Sequence, residues 1–496
     1  MKKIKLFQLL GTFTDVELRA LDKFLQSPYF NTSETIIQYW KCLRRYEPNY
    51  YSSKLTDEKV FKKLFPEEEY EEKKLRQLRS RLLKLVEDFL AIEQFKKEKF
   101  AYKKRIADAY LEKEIKEEAE KGYRKLIKGL GSEAYMTPLD WHRKMQLSHQ
   151  LYFNHLHVKD ATYPKDLLAC TEALGSYYEQ QRLFYTAEWI ALKQMYQHSL
   201  PEMVVDILNE IKVSSVVQKR GVLNKLSYNI IRLFLLNGTV AEQLFYTIQQ
   251  ELTVHFSGID KVEKVRILKQ LINFCIAKQK EGKFWWKEMF ELYQLGLSDD
   301  SLLHNGKMGN ATFQNIVSTA CGNRENAWAE QFINNYQDLL FEQNKEAYLH
   351  MAKAYVIFNK EEFINCLDLL SRINTKHIIN LEILRKGLQV RAAFECFLVD
   401  KTFEITLNSH INSYSRYLNR KSILSESKKN AFLNLNKIIL KLIKYISQEG
   451  NKTDLLSIQE QINVMNPLPE TIRQWLIKHT KKMGLSETSP ISINSD

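Results

Sequence analysis

Four histidines lie in one short segment, and histidine is a common metal ligand in proteins. They are His142, His149, His155 and His157. On a single helix His142 and His149 share a face, because seven residues make almost two turns, whereas the other two point apart. No cysteine lies nearby, and Asp140 and Asp160 do not have the spacing of metal ligands. We therefore expect structural or exposed histidines and predict no metal site.

Other residues that could do chemistry stand alone. No phosphate-binding loop and no HExxH, GxSxG or kinase motif is present. Ser425 and Lys428 match the S-x-x-K pattern of acyl-transfer enzymes without its companion motifs, which indicates a chance match. Trp285 and Trp286 could stack on a ligand, but a tryptophan pair at the start of an amphipathic helix is more typical of a core. We predict a protein that is not an enzyme and uses no cofactor.

A basic helix is a candidate binding element. One long helix over about 70–97 is predicted by apolar residues spaced three or four apart, which are Leu75, Leu78, Leu82, Leu85, Phe89 and Ile92. The side chains on it that could contact phosphates or read guanine edges are Lys73, Arg76, Gln77, Arg79, Arg81 and Lys84. The alternative is a packing helix whose basic face lies toward solvent.

The segment 55–89 resembles the helix-turn-helix of bacterial winged-helix activators, which carry tetratricopeptide-like domains behind a DNA-binding domain. The matching residues surround an acidic turn and are Leu55, Thr56, Glu58, Leu64, Phe65, Pro66, Leu75, Arg76, Ser80, Arg81 and Leu82. The resemblance implies contact of the basic helix with DNA, or with RNA or a ribosome. The family continues into a glycine-containing β-hairpin wing, whereas this chain has no glycine from Thr12 to Lys121 and keeps a helical pattern.

The composition is that of a folded protein. The chain has 496 residues, of which 44% are hydrophobic and 27% are charged. This composition excludes wholesale disorder, and the length exceeds that of one compact domain. Six cysteines without a CxxC pair predict reduced, buried thiols in a cytoplasm; they are Cys42, Cys170, Cys275, Cys321, Cys366 and Cys396. The basic start lacks a signal-peptide cleavage site, and no apolar run approaches the ~18 residues of a membrane span. We expect a cytoplasmic protein with no membrane partner.

The net charge of +13 is concentrated at the two ends of the chain. Residues 1–130 contain 30 Lys and Arg against 22 Asp and Glu, 131–400 contain 29 against 30, and 401–496 contain 14 against 8. Basic ends could bind nucleic acid or an acidic partner. The alternative is that they form the charged outer face that repeat proteins need at their terminal helices. We expect a partner groove in the nearly neutral region 131–400.

The chain is predicted to be all-α. No proline occurs from Glu202 to Asn466, and no stretch alternates polar and apolar residues as strands do. Near the start, Thr14 and Glu17 form a capping-box pattern before a helix whose apolar positions are 16, 18, 21, 24 and 25. Pro28 ends that helix at Ser27, so the S-P-Y-F-N segment is predicted to be a helix corner. Further helices are expected over about 34–46 and 57–65.

Three segments resemble the tetratricopeptide repeat, in which small and aromatic residues at fixed spacing let two short helices pack closely. Their key residues are Leu174, Gly175, Tyr178, Phe184 and Ala187; Ile106, Ala107, Tyr110, Ala119 and Tyr123; and Met351, Ala352, Tyr355, Phe363, Cys366 and Leu370. Weaker pairs follow at about 310–341 and 381–419, whereas helices at 219–236 and 260–280 show no repeat signature. The chain as a whole also resembles an uncharacterised bacterial helical family that begins with an S-P-Y-F-N segment, which implies no activity.

The resemblance to the tetratricopeptide repeat implies an α-solenoid of helical hairpins of that type, which follows an N-terminal helical module. The predicted parts are that module (1–98), the repeat array (99–420), C-terminal capping helices (421–483) and a disordered tail (484–496). In the cap, a helix over about 425–446 carries apolar residues on one face and lysines on the rest. We predict a non-enzymatic scaffold or adaptor that binds a peptide or partner domain. The alternative is a nucleic-acid-binding regulator that uses the basic N-terminal helices.

Overall fold

The computed structural model describes residues 4–52, 54–155, 164–196, 199–213, 221–279, 285–375, 378–420, 424, 426–448 and 450–486. These residues are 80% helical and form 23 α-helices, so the prediction of an all-α protein is confirmed. Within the same ranges, no helix is long and apolar enough to cross a membrane.

The chain divides into two compact units. The first unit comprises Met1–Leu130 and Arg143–Glu172, and the second comprises Gly131–His142 and Ala173–Asp496. The helices before residue 130 are α1 (Lys5–Leu10), α2 (Asp15–Gln26), α3 (Glu34–Arg44), α4 (Asp57–Leu64), α5 (Glu72–Lys97), α6 (Lys99–Glu112) and α7 (Lys116–Lys128). Two further helices, α8 (Pro138–His155) and α9 (Lys165–Tyr196), contribute residues to both units.

Helices α1–α5 share one hydrophobic core in the first unit. The predicted capping box begins α2, since Thr14 Oγ1 accepts from the N–H of Glu17 and the Glu17 carboxylate accepts from the N–H of Thr14. Leu18, Leu21, Phe24 and Leu25 are buried as predicted. Val16 is exposed, so its assignment to the core face was wrong. It lies two residues before Leu18, about 200° round the helix.

The S-P-Y-F-N segment forms the corner between α2 and α3. The buried Asn31 holds it, because its Nδ2 donates to the Leu25 carbonyl at 2.9 Å and its Oδ1 accepts from the N–H of Ser33 at 3.0 Å. Phe30 stacks on Phe24 with ring centroids 4.2 Å apart. Tyr29 is 89% exposed and faces solvent.

The second unit continues with α10 (Glu202–Val213), α11 (Gly221–Leu235), α12 (Gly238–His255), α13 (Lys261–Gln279), α14 (Trp286–Leu297), α15 (Asn310–Gly322), α16 (Asn326–Tyr336), α17 (Lys345–Asn359), α18 (Phe363–Arg372), α19 (Ile379–Val399), α20 (Glu404–Arg420), α21 (Glu426–Ser447), α22 (Lys452–Val464) and α23 (Glu470–Ser486). One large core joins α11–α17 and another joins α19–α23. Helices α21–α23 occupy the predicted capping region. Of the predicted disordered tail, residues 484–486 belong to α23, so that boundary was placed too early, and residues 487–496 lie outside the described residues.

A short β-hairpin was not predicted. Strand β1 (Leu303–His304) pairs antiparallel with β2 (Lys307–Met308), and these are the only strands in the described ranges. The turn residues Asn305 and Gly306 have φ values of 50° and 73°, and Asn-Gly is a strong signal for such a two-residue turn. The signal was present in the sequence, but the flanking strands are too short to show alternation.

Two of the three repeat-like segments form helical hairpins and one does not. Residues 106–123 lie in α6 and α7, and residues 351–370 lie in α17 and α18. The segment 174–187 lies within the single helix α9, so the expectation of two short helices there was wrong. Nothing in that segment stops a helix: its one glycine has no proline or cap beside it, and the good helix formers Ala173 and Leu174 precede it.

Candidate functional site

Helix α5 presents a basic face to solvent. Five of the six predicted contact residues are exposed, namely Lys73, Arg76, Gln77, Arg81 and Lys84. These five residues lie within twelve positions and their spacing follows the helical repeat. They therefore share one side of the helix, opposite the buried residues Leu75, Leu78, Leu82 and Val86. None of the four cations makes an ion pair within the described part of the chain, and their charges are free to meet an anionic ligand.

Arg79, the sixth predicted residue, has a different environment. Its Nη2 donates to Asp57 Oδ1 at 2.6 Å, and its guanidinium lies 5.6 Å from the ring of Phe7. A weaker bond at 3.4 Å joins its Nε to the hydroxyl of the buried Tyr39. Burial alone would lower the pKa of Arg79, but the bonds to Asp57 and Tyr39 outweigh it and raise the pKa. Arg79 therefore links α5 to α4, α3 and α1 rather than facing a ligand.

The elements around α5 hold this face in place. Helices α3, α4 and α5 pack on one another, and the chain turns between Leu64 and Glu72. After 26 residues α5 gives way to α6 at Lys99. Residues 4–52 and 54–155 contain no strand, so the region has two helices and a turn without a wing, as the glycine-free sequence indicated.

Helix α9 presents an apolar face that the sequence did not identify as a binding surface. Leu174 is 51% exposed, Tyr178 and Tyr185 are each 58% exposed and Trp189 is 37% exposed. Spacings of four, seven and four residues place them on one side of the helix. Beside them, the Arg182 guanidinium lies 5.6 Å from the Tyr178 ring and pairs with Glu210 at 2.7 Å. The same spacing would suit a buried face, so periodicity alone could not reveal the exposure.

The two histidine side chains of this segment that are described lie against aromatic rings. His142 stacks on Tyr177, with 5.2 Å between centroids, and His149 lies 4.5 Å from the ring of Phe153. The side chain of His155 and the whole of His157 lie outside the described residues. Among the residues that are described, no group of three or more His, Cys, Asp or Glu side chains could hold a metal ion.

The tryptophan pair belongs to a hydrophobic core, as expected. Trp285 is buried and meets the rings of Phe245 and Phe274 edge-on, with centroids 4.8 and 5.5 Å apart. Trp286 packs over Gly322, where an added Cβ would lie 2.5 Å from the indole. Of the S-x-x-K pair, Ser425 and the side chain of Lys428 lie outside the described residues.

The cysteines are free thiols, and five of the six are buried. Burial raises the pKa of Cys321 and Cys366 to about 12. Burial also raises the pKa of the half-buried Cys170. A raised pKa keeps these groups in the thiol form, which is a poor nucleophile. The predicted burial is confirmed for every cysteine except Cys170.

No family model, curated protein or solved structure matches the chain. The basic face of α5 and the apolar face of α9 are therefore the basis for a functional proposal.

Proposed function

We propose that the chain is a non-enzymatic, cytoplasmic interaction scaffold of the tetratricopeptide-like α-solenoid type, which binds a peptide or partner domain on the apolar face of α9. The observation that carries the proposal is the row of exposed Leu174, Tyr178, Tyr185 and Trp189. Tyrosine, tryptophan and arginine dominate the binding energy of protein interfaces, and Arg182 lies beside this row. Contiguous apolar surface of this kind marks interaction sites in folded proteins.

A turn that recurs in three hairpins supports the solenoid part of the proposal. The hairpins α6–α7, α15–α16 and α17–α18 each have a three-residue turn. The middle residues Glu114, Arg324 and Glu361 have φ values of 63°, 66° and 64°. In each turn the third residue donates its N–H to the carbonyl five residues earlier; the pairs are Ile115 to Tyr110, Glu325 to Ala320 and Glu362 to Ile357. One turn geometry at three places is typical of repeated units.

The spacing and stacking of helices also support a repeat. Helices α15, α17 and α19 begin at Asn310, Lys345 and Ile379, which are 35 and 34 residues apart, and the tetratricopeptide period is about 34 residues. Helix α15 packs on α17, α17 on α19 and α19 on α21, so the first helix of each hairpin contacts the first helix of the next. In solenoids each repeat contacts its neighbours in this way.

The test places a photo-crosslinking phenylalanine analogue on the proposed surface in cells. Substituted at Tyr178 or Tyr185, the analogue is expected to form a defined adduct with one protein, because the partner covers this face. The matched control carries it at Val254, an exposed apolar position on α12. The adduct at Tyr178 should disappear when Trp189→Ala is added. The same adducts at all three positions, or none at Tyr178 and Tyr185, would overturn the proposal.

The basic face of α5 favours a second candidate function, binding of nucleic acid. Lys73, Arg76, Arg81 and Lys84 are exposed, unpaired within the described chain and on one side of a helix. Such a row can follow a phosphate backbone, and Gln77 among them is suited to reading a base edge. The resemblance of residues 55–89 to a helix-turn-helix also supports binding of nucleic acid.

A salt titration tests the second candidate. Four phosphate contacts predict that log K for duplex DNA or RNA falls with log salt at a slope of about −4. The double change Arg76→Glu with Arg81→Glu should weaken binding and make the slope shallower by about 2. Lys437→Glu with Lys444→Glu, an equal charge change at exposed positions on α21, is the control. Equal effects of the two pairs would show that only net charge matters. Arg79 is left intact because its loss would disturb folding.

A further inference from the structure

A small cavity with both polar and apolar lining residues lies between α9, α11 and α13 in the second unit. Its lining residues are Pro138, Gln180, Phe184, Leu223, Ser227, Glu263 and Arg266. The cavity leaves about 10 Å³ open to the centre of a water molecule, and one water needs about 10–15 Å³ of such space. Gln180, Ser227 and Glu263 are buried, so buried polar side chains contribute to the lining of a space too small for an organic ligand.

Arg266 supplies an unused donor to this cavity. Its side chain is 9% exposed. Its Nε and Nη2 lie 2.7 and 2.6 Å from Glu263 Oε2, and Nη2 also donates to Ser227 Oγ at 3.0 Å. Its guanidinium lies 5.3 Å from the Phe184 ring. Nη1 is buried and has no hydrogen-bond partner among the described residues, and leaving a charged donor unpaired in this way is costly.

Gln180 supplies an unused acceptor. The residue is 7% exposed, and its Nε2 donates to the carbonyl of Met136 at 3.0 Å. Its Oε1 is buried without a partner in the described chain. A carbonyl only accepts, so Met136 fixes the orientation of the amide and leaves oxygen as the free atom. An occupant must therefore accept from Arg266 and donate to Gln180.

We propose that one ordered water molecule occupies this cavity, accepting from Arg266 Nη1 and donating to Gln180 Oε1. A halide ion could accept from Arg266 but could not donate, and it would lie against the Glu263 carboxylate and the Gln180 oxygen. A metal cation could not accept from the guanidinium. Water alone satisfies both atoms, as buried waters commonly do with about three hydrogen bonds. The water connects Arg266 on α13 with Gln180 on α9. The bond from Gln180 to Met136 extends this network to the segment before α8.

A high-resolution crystal structure of the full chain, grown with bromide in place of chloride, tests the occupant. We expect an electron-density peak within hydrogen-bond distance of both Arg266 Nη1 and Gln180 Oε1, without anomalous signal at the bromine edge. An anomalous peak would assign the site to a halide. An empty cavity, or a direct bond between Gln180 and Arg266, would also overturn the proposal.

Oxygen-17 magnetic relaxation dispersion tests the site in solution, since it counts waters that remain inside the protein. Gln180→Met keeps the side-chain length but removes the acceptor, and the count is expected to fall by one relative to wild type. Gln181→Met, one residue along the same helix and outside the cavity lining, should leave the count unchanged. An unchanged count in folded Gln180→Met would contradict the proposal; if this variant fails to fold, the crystal of the wild-type chain still decides.

Discussion

Arg79 and Arg81 are two residues apart on α5, yet their guanidinium groups have different surroundings. Arg79 is mostly buried and bonded to Asp57, whereas Arg81 is exposed. Two residues rotate a helical position by about 200°, which is enough to move a side chain from the packed side to the solvent side. Residue type suggested one role for both arginines, and position on the helix gives them two.

Removal of the Asp57 carboxylate tests the structural role of Arg79. Asp57→Ala is expected to lower the free energy of unfolding by roughly 1 kcal/mol, because the buried guanidinium loses a charge-assisted bond while Asp57 itself is partly exposed. Glu58→Ala removes an equal charge from the same helical turn but no ion pair, and should cost less than about 0.5 kcal/mol. Chemical denaturation of both variants measures the difference, and equal losses would contradict the role.

Glu382 is the centre of a partly buried polar network between α18, α19 and α20. Its carboxylate accepts from Thr375 and from Arg385 at 2.6 Å, and Lys386 lies 3.5 Å away. Lys386 in turn donates to Ser413 at 2.8 Å. Burial alone would raise the pKa of Glu382, but the bonds from Arg385 and Thr375 outweigh it and lower the pKa. The charged form is therefore the one that stabilises the fold.

This lowered pKa predicts a dependence of stability on pH. A carboxyl whose pKa is lower in the folded state stabilises the protein above its unfolded pKa, here near 4.5, and loses that effect as pH falls through the folded value. Glu382→Gln should therefore reduce the free energy of unfolding at pH 7, and its difference from wild type should shrink below about pH 4.5. Glu346→Gln removes the same charge at an exposed position of α17 and is the control for the general effect of a lost charge. A difference independent of pH would refute the assignment.

At the scale of elements, the α6–α7 hairpin depends on small residues where the helices cross. Ala107, Ala119 and Tyr123 are buried at the contact. A Cβ added at Gly122 would lie 2.9 Å from the Cβ of Ala107, which is closer than two carbons can pack. Tyr123 donates to Asp108 at 2.9 Å across the same hairpin. The close approach needs glycine at position 122.

Gly122→Ala therefore tests the packing of the hairpin. Alanine favours a helix interior over glycine by about 1 kcal/mol, but overpacking here should reverse the sign and destabilise the protein by roughly 1–2 kcal/mol. The same substitution at Gly484 meets only an ordinary contact at 3.5 Å and should not destabilise. Adding Ala107→Gly to Gly122→Ala should recover part of the loss in a double-mutant cycle. Thermal unfolding of the set gives the result, and a stabilised Gly122→Ala would disprove the contact.

At the scale of the whole molecule, the thiols report on how completely the chain is packed. Five cysteines are buried and distributed over both units, while Cys170 is half-buried. Native protein treated with a maleimide should be modified first at Cys170, because reagents reach buried thiols only when the structure opens. All six should react in denaturant. Mass spectrometry of the adducts measures the order, and Cys170→Ser should remove the earliest adduct. Early labelling of Cys275 or Cys321 would contradict the observed burial.

Local sequence patterns predicted most helices to within a few residues. Helix α4 was expected over 57–65 and is Asp57–Leu64, and α13 was expected over 260–280 and is Lys261–Gln279. Helix boundaries depend on caps, prolines and apolar periodicity, which act within a few residues. Sequence reasoning failed at α9, where the local repeat pattern suggested a hairpin. The spacing of small and aromatic residues there is compatible with one helix as well as with two, so it could not predict where a helix ends.

Helix propensity and apolar spacing are local properties, so the order of the amino acids was enough to predict an all-α protein. It also placed six candidate side chains on one helix. Which of these side chains are exposed depends on the packing of the helices: Arg79 is bonded to Asp57, and the exposed ones are Lys73, Arg76, Gln77, Arg81 and Lys84. The same packing leaves the row Leu174, Tyr178, Tyr185 and Trp189 exposed, and it places Arg266 and Gln180 in the lining of one cavity. Exposure and proximity depend on which helices pack together, and that choice is made between residues distant in the chain.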